Sequence, residues 1–183
     1  MVTIDNTTLA LLLHPKAKAP NDPQTNQPLQ KARERIEQLI SDLDAEDERV
    51  IVPTPVLAEL LILAGSEGPQ YLEAIQDSKT LLIRGFDERA AIELAAIELA
   101  DRGKSGKKGG LDAPWQKVKF DRQIVAIAKV NGARSIYSDD RDVRAFGSKA
   151  GLKVISTWEL PIPLSKTPLF DDLPEEETKK PKP

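Results

Sequence analysis

Cysteine is absent from this chain, which removes disulfide staples and thiolate zinc sites and suits a reducing compartment. Histidine occurs once, as His14 beside Pro15, so a multi-histidine metal site is excluded. A serine triad would have to recruit that same histidine, and no Gly-x-Ser-x-Gly elbow is present to expose a nucleophile; His14 reads instead as a capping or surface residue. Long apolar runs are also missing: Leu9 to Leu13 is far too short to span a bilayer, and no basic segment followed by an apolar stretch opens the sequence, so a soluble cytoplasmic protein is expected. There is no surplus of basic charge. A formal net charge of -3 and a pI of about 5.4 argue against a protein that coats nucleic acid by bulk electrostatics, but not against one whose catalytic carboxylates lower the total. Finally, no glycine-rich phosphate loop follows a strand, since Gly103-Lys104-Ser105 lacks the upstream strand and the spacing of a nucleotide-binding loop.

What is present is an alternation of short apolar strands and helical segments in a chain of 183 residues, enough to bury one core without covalent staples. Strands are expected at Val2–Ile4, Val50–Val52, Thr80–Ile83, Arg134–Tyr137 and Leu152–Ile155, several of them uninterrupted β-branched or leucine runs, as strands covered on both faces should be. Between them, helices are expected at Leu9–Leu13, at Leu29–Leu43, from Pro55 with Thr54 as its cap, at Tyr71–Gln76, from Glu88 to Asp101 behind Asp87, from Phe120 to Val130, and at Val143–Gly151. The Glu88–Asp101 segment carries Ile92, Ala95, Ala96 and Leu99 at helical spacing. This rhythm predicts a three-layer α/β/α sandwich with a mostly parallel central sheet. One domain is expected over residues 1–160. Residues 161–183, rich in proline, acid and lysine, are expected to form a disordered tail. The proline-rich stretch Lys16–Pro28 is expected as a flap over the active edge, and Trp158, near the last strand, as a core or lid residue.

Four acids stand where strands end or helices begin: Asp5, Glu59, Asp121 and Asp140. Gathered on one sheet edge they would repel one another unless a cation sat among them. Mg²⁺ or Mn²⁺ is the natural occupant of such an oxygen-only site, and a phosphodiester its natural substrate. Asn6, Ser138, Asp139 and Asp142 are auxiliary candidates. Ser138 is placed to hydrogen-bond Asp5 or Asp140, Asp142 is equally placed to cap a helix beginning at Val143, and Asp139 is expected to face solvent. Between Arg102 and Lys119 a glycine-rich segment carries six basic residues against Asp112. From it Lys104, Lys107, Lys108, Lys117 and Lys119 are candidate phosphate contacts, and Trp115 a candidate base-stacking residue, the other reading being a solubilising loop.

In order and spacing these pieces resemble the PIN domain family of metal-dependent nucleases. Asp5 closes the first strand. Glu59 follows in Thr54-Pro-Val-Leu-Ala-Glu-Leu-Leu, Asp121 opens Asp-Arg-Gln-Ile-Val-Ala-Ile-Ala before Gly132-Ala133, and Ser138-Asp-Asp-Arg-Asp-Val completes the set. The resemblance covers about residues 1–156. It departs after the first acid, where Asn6-Thr7 stands in place of the family's small Ser or Thr followed by Asn or Ser. The Lys16–Pro28 segment and the basic loop are also longer than in compact toxins of the family.

The resemblance implies a Mg²⁺- or Mn²⁺-dependent endoribonuclease, in which Asp5, Asp121 and Asp140 ligate metal and Glu59 ligates a second ion or orients the attacking water. It also implies RNA as substrate, a homodimer, and a cognate antitoxin should the protein belong to a toxin–antitoxin pair. Two rival readings remain at this stage. One is a PIN-like scaffold that binds RNA or a protein without cleaving it. The other is a metal-dependent phosphatase, disfavoured because Asp5-Asn6-Thr7 lacks the second acid of an Asp-x-Asp nucleophile.

Overall fold

The computed structural model describes residues 1–101 and 115–163. Five short strands, β1 (Val2–Ile4), β2 (Val50–Pro53), β3 (Leu81–Arg84), β4 (Ser135–Tyr137) and β5 (Lys153–Ile155), form one sheet in the order β3-β2-β1-β4-β5, and every pairing is parallel. Val2 lies opposite Val50, Thr3 opposite Ile136, and Ile136 opposite Val154. Parallel strands need crossover connections. These are α1 (Asn6–Leu13) and α2 (Ala32–Ala45), α3 (Thr54–Ala64) and α4 (Gly68–Asp77), α5 (Glu88–Asp101) and α6 (Trp115–Val130), and α7 (Arg141–Lys149).

Because successive strand residues point to opposite faces, the β-branched runs feed two cores at once. Val2, Ile4, Val50 and Val52 pack with α1 to α4, for instance against Leu9, Ile36, Val56 and Leu60. Ile51, Ile136 and Val154 point the other way and pack with α5 to α7, against Ala90, Val125, Ile127 and Phe146. The result is the expected α/β/α sandwich. One close approach stands out in the second layer: a Cβ added at Gly147 of α7 would lie 2.7 Å from Val154 Cγ2 on β5, so any larger residue would require Val154 or the helix to shift.

Several elements differ in detail from the expectation. Helix α6 begins at Trp115, five residues before Phe120, which turns Lys117 and Lys119 from loop residues into helix residues. Helix α7 begins at Arg141, capped by Asp140 rather than by Asp142. Thr54 does not cap α3; it is its first residue, and the extended backbone of Pro53 sets the start without a side-chain hydrogen bond. The Ile92–Leu99 stripe of α5 faces outward, with Ile92 and Leu99 exposed, while Ala90 and Ile97 are buried. This helix is apolar on two faces, and spacing alone cannot say which of them turns inward.

The sheet order also positions the site. After β1 the chain turns toward β2, and after β4 it turns the opposite way toward β5, so the neighbouring strands β1 and β4 send their helices to opposite faces. A crevice opens between such strands at their carboxyl ends, where doubly wound α/β proteins bind ligands. Asp5 directly follows β1, and Ser138, Asp139 and Asp140 directly follow β4.

Candidate metal centre at the switch point

Asp5 is the N-cap of α1. Its Oδ1 accepts the Thr8 amide at 2.9 Å, and its Oδ2 accepts the Ser138 hydroxyl at 2.5 Å. It is buried, and burial pushes its pKa up to about 6 even though those hydrogen bonds favour the charged form. Ser138 Oγ in turn accepts the Asp140 amide at 3.1 Å, so one hydroxyl links the ends of β1 and β4. Asn6 Oδ1, next in the chain, is buried with no hydrogen-bond partner among the described residues.

The second half of the site lies where α6 meets α7. Asp121 is buried on α6; Asp140 caps α7, its Oδ1 accepting the Asp142 amide at 2.7 Å; and Asp142 sits in the first turn of α7. One carboxylate oxygen from each of the three lies within 4.8 Å of the others. Burial first, and then the neighbouring Asp140, push the Asp121 pKa up to about 6, with Lys117 opposing the shift. The ammonium of Lys117 stands among all three, 3.2 Å from Asp121 Oδ2, 2.7 Å from Asp140 Oδ2 and 3.1 Å from Asp142 Oδ2. Partial burial works against its charge, yet the hydrogen bonds to Asp140 and Asp142 outweigh that and raise its pKa.

These residues fit a divalent cation. All the converging donors are hard carboxylate oxygens, and the protein already seats a positive charge among them. Glu59, on the exposed side of α3, is within electrostatic reach of the cluster: partial desolvation raises its pKa, with Lys117 lowering it and Asp140 raising it.

Of the four acids expected to converge, Asp121 and Asp140 therefore share the cluster and Asp5 is linked to Asp140 through Ser138, while Glu59 is not part of the cluster and is coupled to it only through the charges of Lys117 and Asp140. Asp142 faces Lys117 instead of capping a helix. Asp139 does not face solvent; it accepts the Thr157 amide at 2.8 Å and the Thr157 hydroxyl at 2.6 Å. Lys117, expected on a mobile basic loop, is held in the acidic cluster. Its i,i+4 relation to Asp121 was open to reading only if α6 began before Phe120. Lys119 is exposed on the same helix. Lys104, Lys107 and Lys108 and the side chain of Trp115 lie outside the described residues, as does the tail beyond residue 163. The Lys16–Pro28 stretch closes on itself through an Asn21–Pro28 bridge and lines a cleft with Asp139 and Arg141. Trp158, expected in the core or on a lid, is 41% exposed beside that cleft.

Fold and site together define a class: a doubly wound α/β protein with a carboxylate cluster at its switch point that could hold a metal ion. Residues 29–149 match the PIN domain family, and the chain belongs to it. Among solved structures, the chain resembles one of FitAB bound to an IR36 DNA fragment, with a TM-score of 0.55 and 19% identity, covering 88% of this chain and 99% of that one. It also resembles VapBC2 from Rickettsia felis bound to a DNA fragment from their promoter, with a TM-score of 0.54 and 15% identity over 85% and 98% of the two chains. At such identities the likeness concerns the fold. No curated protein matches the chain significantly.

Proposed function

We propose that this PIN domain protein is a Mg²⁺- or Mn²⁺-dependent endoribonuclease. The observation that carries the reading is the convergence of Asp121, Asp140 and Asp142 at the carboxyl edge of the sheet, around a position that already holds a cation. Asp121, Asp140 and Asp142 would hold the ion, and Asp5 would complete the set once Ser138 has fixed its rotamer. A bound ion supplies charge neutralisation at the scissile phosphate and a more acidic water. Glu59, partly desolvated at the rim, orients the attacking water and takes its proton. Hydrolysis is in line and passes through no covalent enzyme intermediate. Residues 1–160 form the catalytic domain.

Membership of a family that includes the toxins of toxin–antitoxin pairs supports a toxin with a cognate antitoxin as the biological setting. The outward apolar stripe of α5 supports a homodimer. A second reading, a PIN-like module that binds RNA without efficient cleavage, is favoured by one observation: the Lys117 ammonium pairs with all three acids of the cluster and so offsets their charge itself.

Loss of a labelled single-stranded RNA, followed with and without Mg²⁺ or Mn²⁺ and beside a small phosphomonoester, separates these readings. Metal-dependent cleavage of the RNA alone is expected. Binding without cleavage would favour the module, and hydrolysis of the monoester alone would indicate a phosphatase.

A further inference from the structure

The 3₁₀ turn Thr157–Glu159, just after β5, is tied down more heavily than its length requires. Buried Arg35 donates from Nη1 to the carbonyls of Trp158, at 3.3 Å, and Leu160, at 2.5 Å. Ser156 and Glu159 form a reciprocal capping box. Arg144 pairs with Glu159 and donates to Ser156 Oγ at 2.8 Å. On the other side the turn is bound to the metal centre itself, through Asp139 to Thr157 and through Ser156 Oγ, which donates to the Ser138 carbonyl at 3.1 Å. Apart from the Arg144–Glu159 pair, these bonds hold backbone or small side chains. The one large side chain on the turn, Trp158, is left 41% exposed.

Trp158 borders a cleft of about 470 Å³ whose walls include Asn21 and Asn26 from the proline-rich stretch, together with Asp139 and Arg141, the two chain neighbours of Asp140. An aromatic ring on a rigid backbone has few rotamers to lose on binding. Every nucleobase offers it a flat face. Arg141 is exposed, and its guanidinium suits a phosphate. Both Asp139 oxygens are already occupied by Thr157.

Resting on the ribonuclease reading above, we propose that this cleft is a base-binding subsite for single-stranded RNA. It seats a nucleotide beside the scissile phosphate, with Trp158 stacking on the base, Arg141 meeting the adjoining phosphate, and the Asn21 and Asn26 amides reaching the base edge. A duplex keeps its base faces stacked inside the helix, so the subsite selects unpaired RNA.

The test uses the full chain carrying Asp121→Asn to prevent turnover, at constant Mg²⁺, with a short labelled RNA presented single-stranded and as a duplex. Relative to this parent, Trp158→Ala should weaken single-strand binding about tenfold or more and leave duplex binding unchanged, while Trp158→Tyr, which keeps a stacking ring, should retain most of the affinity. Arg141→Ala should weaken binding and make its dependence on salt shallower by about one counterion. The turn is held by its backbone, so a native circular dichroism spectrum is expected for each variant. Parental single-strand affinity in folded Trp158→Ala would overturn the subsite and leave the ribonuclease reading standing. A parent that binds no RNA at all would overturn both.

Discussion

Asp5 at the end of β1 and Asp121 at the α6–α7 junction both have pKa values pushed up to about 6 by burial, yet they are held in opposite ways. Asp5 is stabilised by neutral donors, the Thr8 amide and the Ser138 hydroxyl, and has no ion-pair partner among the described residues. Asp121 sits with two further carboxylates and depends on the Lys117 cation. The first arrangement is that of a rigid strut whose charge is tolerated by hydrogen bonding. The second is an ion-exchange site, in which one positive charge can replace another. On the proposed reading, the α6–α7 half is the one suited to accept an incoming ion, and the β1 half is the one that would fix its geometry.

The sharpest way to break the comparison is Asp121→Asn. It should abolish metal-dependent RNA cleavage, by roughly a thousandfold or more, while the protein stays folded; cleavage by the purified variant at the normal rate would remove Asp121 from the mechanism. Lys117→Met should act in the other direction on metal binding. Without the competing ammonium, Mn²⁺ affinity measured by titration calorimetry should rise about tenfold, and the metal-free protein should melt earlier; unchanged affinity would mean that Lys117 does not occupy the ion's place.

At the β1 end, Ser138→Ala should cost about 1–2 kcal/mol in denaturant unfolding, because it strips a donor from a buried carboxylate and an acceptor from the Asp140 amide. A change much smaller than that would show that the two strand ends are not coupled through this hydroxyl.

The smallest expected effect per group is on pH. Asp5 and Asp121 titrate near 6 in the folded protein against 3.8 for the free side chain, so the folded state binds more protons between those values and its stability falls as pH rises through the window. Lowering the pH from about 7.5 to about 5 should therefore stabilise the metal-free protein by on the order of 1 kcal/mol per group. The slope should shrink in Asp121→Asn. Divalent affinity should fall over the same range, as protons compete for the ligands. A metal-free melting temperature that dropped steadily from pH 7.5 to 5 would contradict both assignments.

The strands and their parallel arrangement were legible because runs such as Val50-Ile51-Val52 carry apolar groups on both faces, which only a covered strand can use. Asp5 and Asp140 could be placed at the edge because Asp5 directly follows β1 and Asp140 stands three residues beyond the end of β4. What was not legible depended on where helices begin. Trp115 to Lys119 follows a glycine-rich basic segment and carries three polar or charged residues, so local pattern favoured loop, and with it went the one-turn spacing that sets Lys117 over Asp121. Likewise, that Asp142 and not a more distant acid would face Lys117 follows from α7 starting at Arg141 rather than Val143. The outward stripe of α5 and the exposed ring of Trp158 are tertiary outcomes, decided by neighbours far away in the chain.

Gly147 ties the ion site to the spacing between a helix and a strand. It lies two turns along α7 from the Asp140 cap, where a methyl group would collide with Val154. Enlarging it to alanine would have to displace Val154 or α7, at a cost of about 1–3 kcal/mol, and any outward shift of α7 would move Asp140 and Asp142 relative to Asp121 on the adjacent helix. The gap between α7 and β5 thus works as a gauge block: from the far side of the layer, it helps set how far apart the carboxylates of Asp121, Asp140 and Asp142 stand.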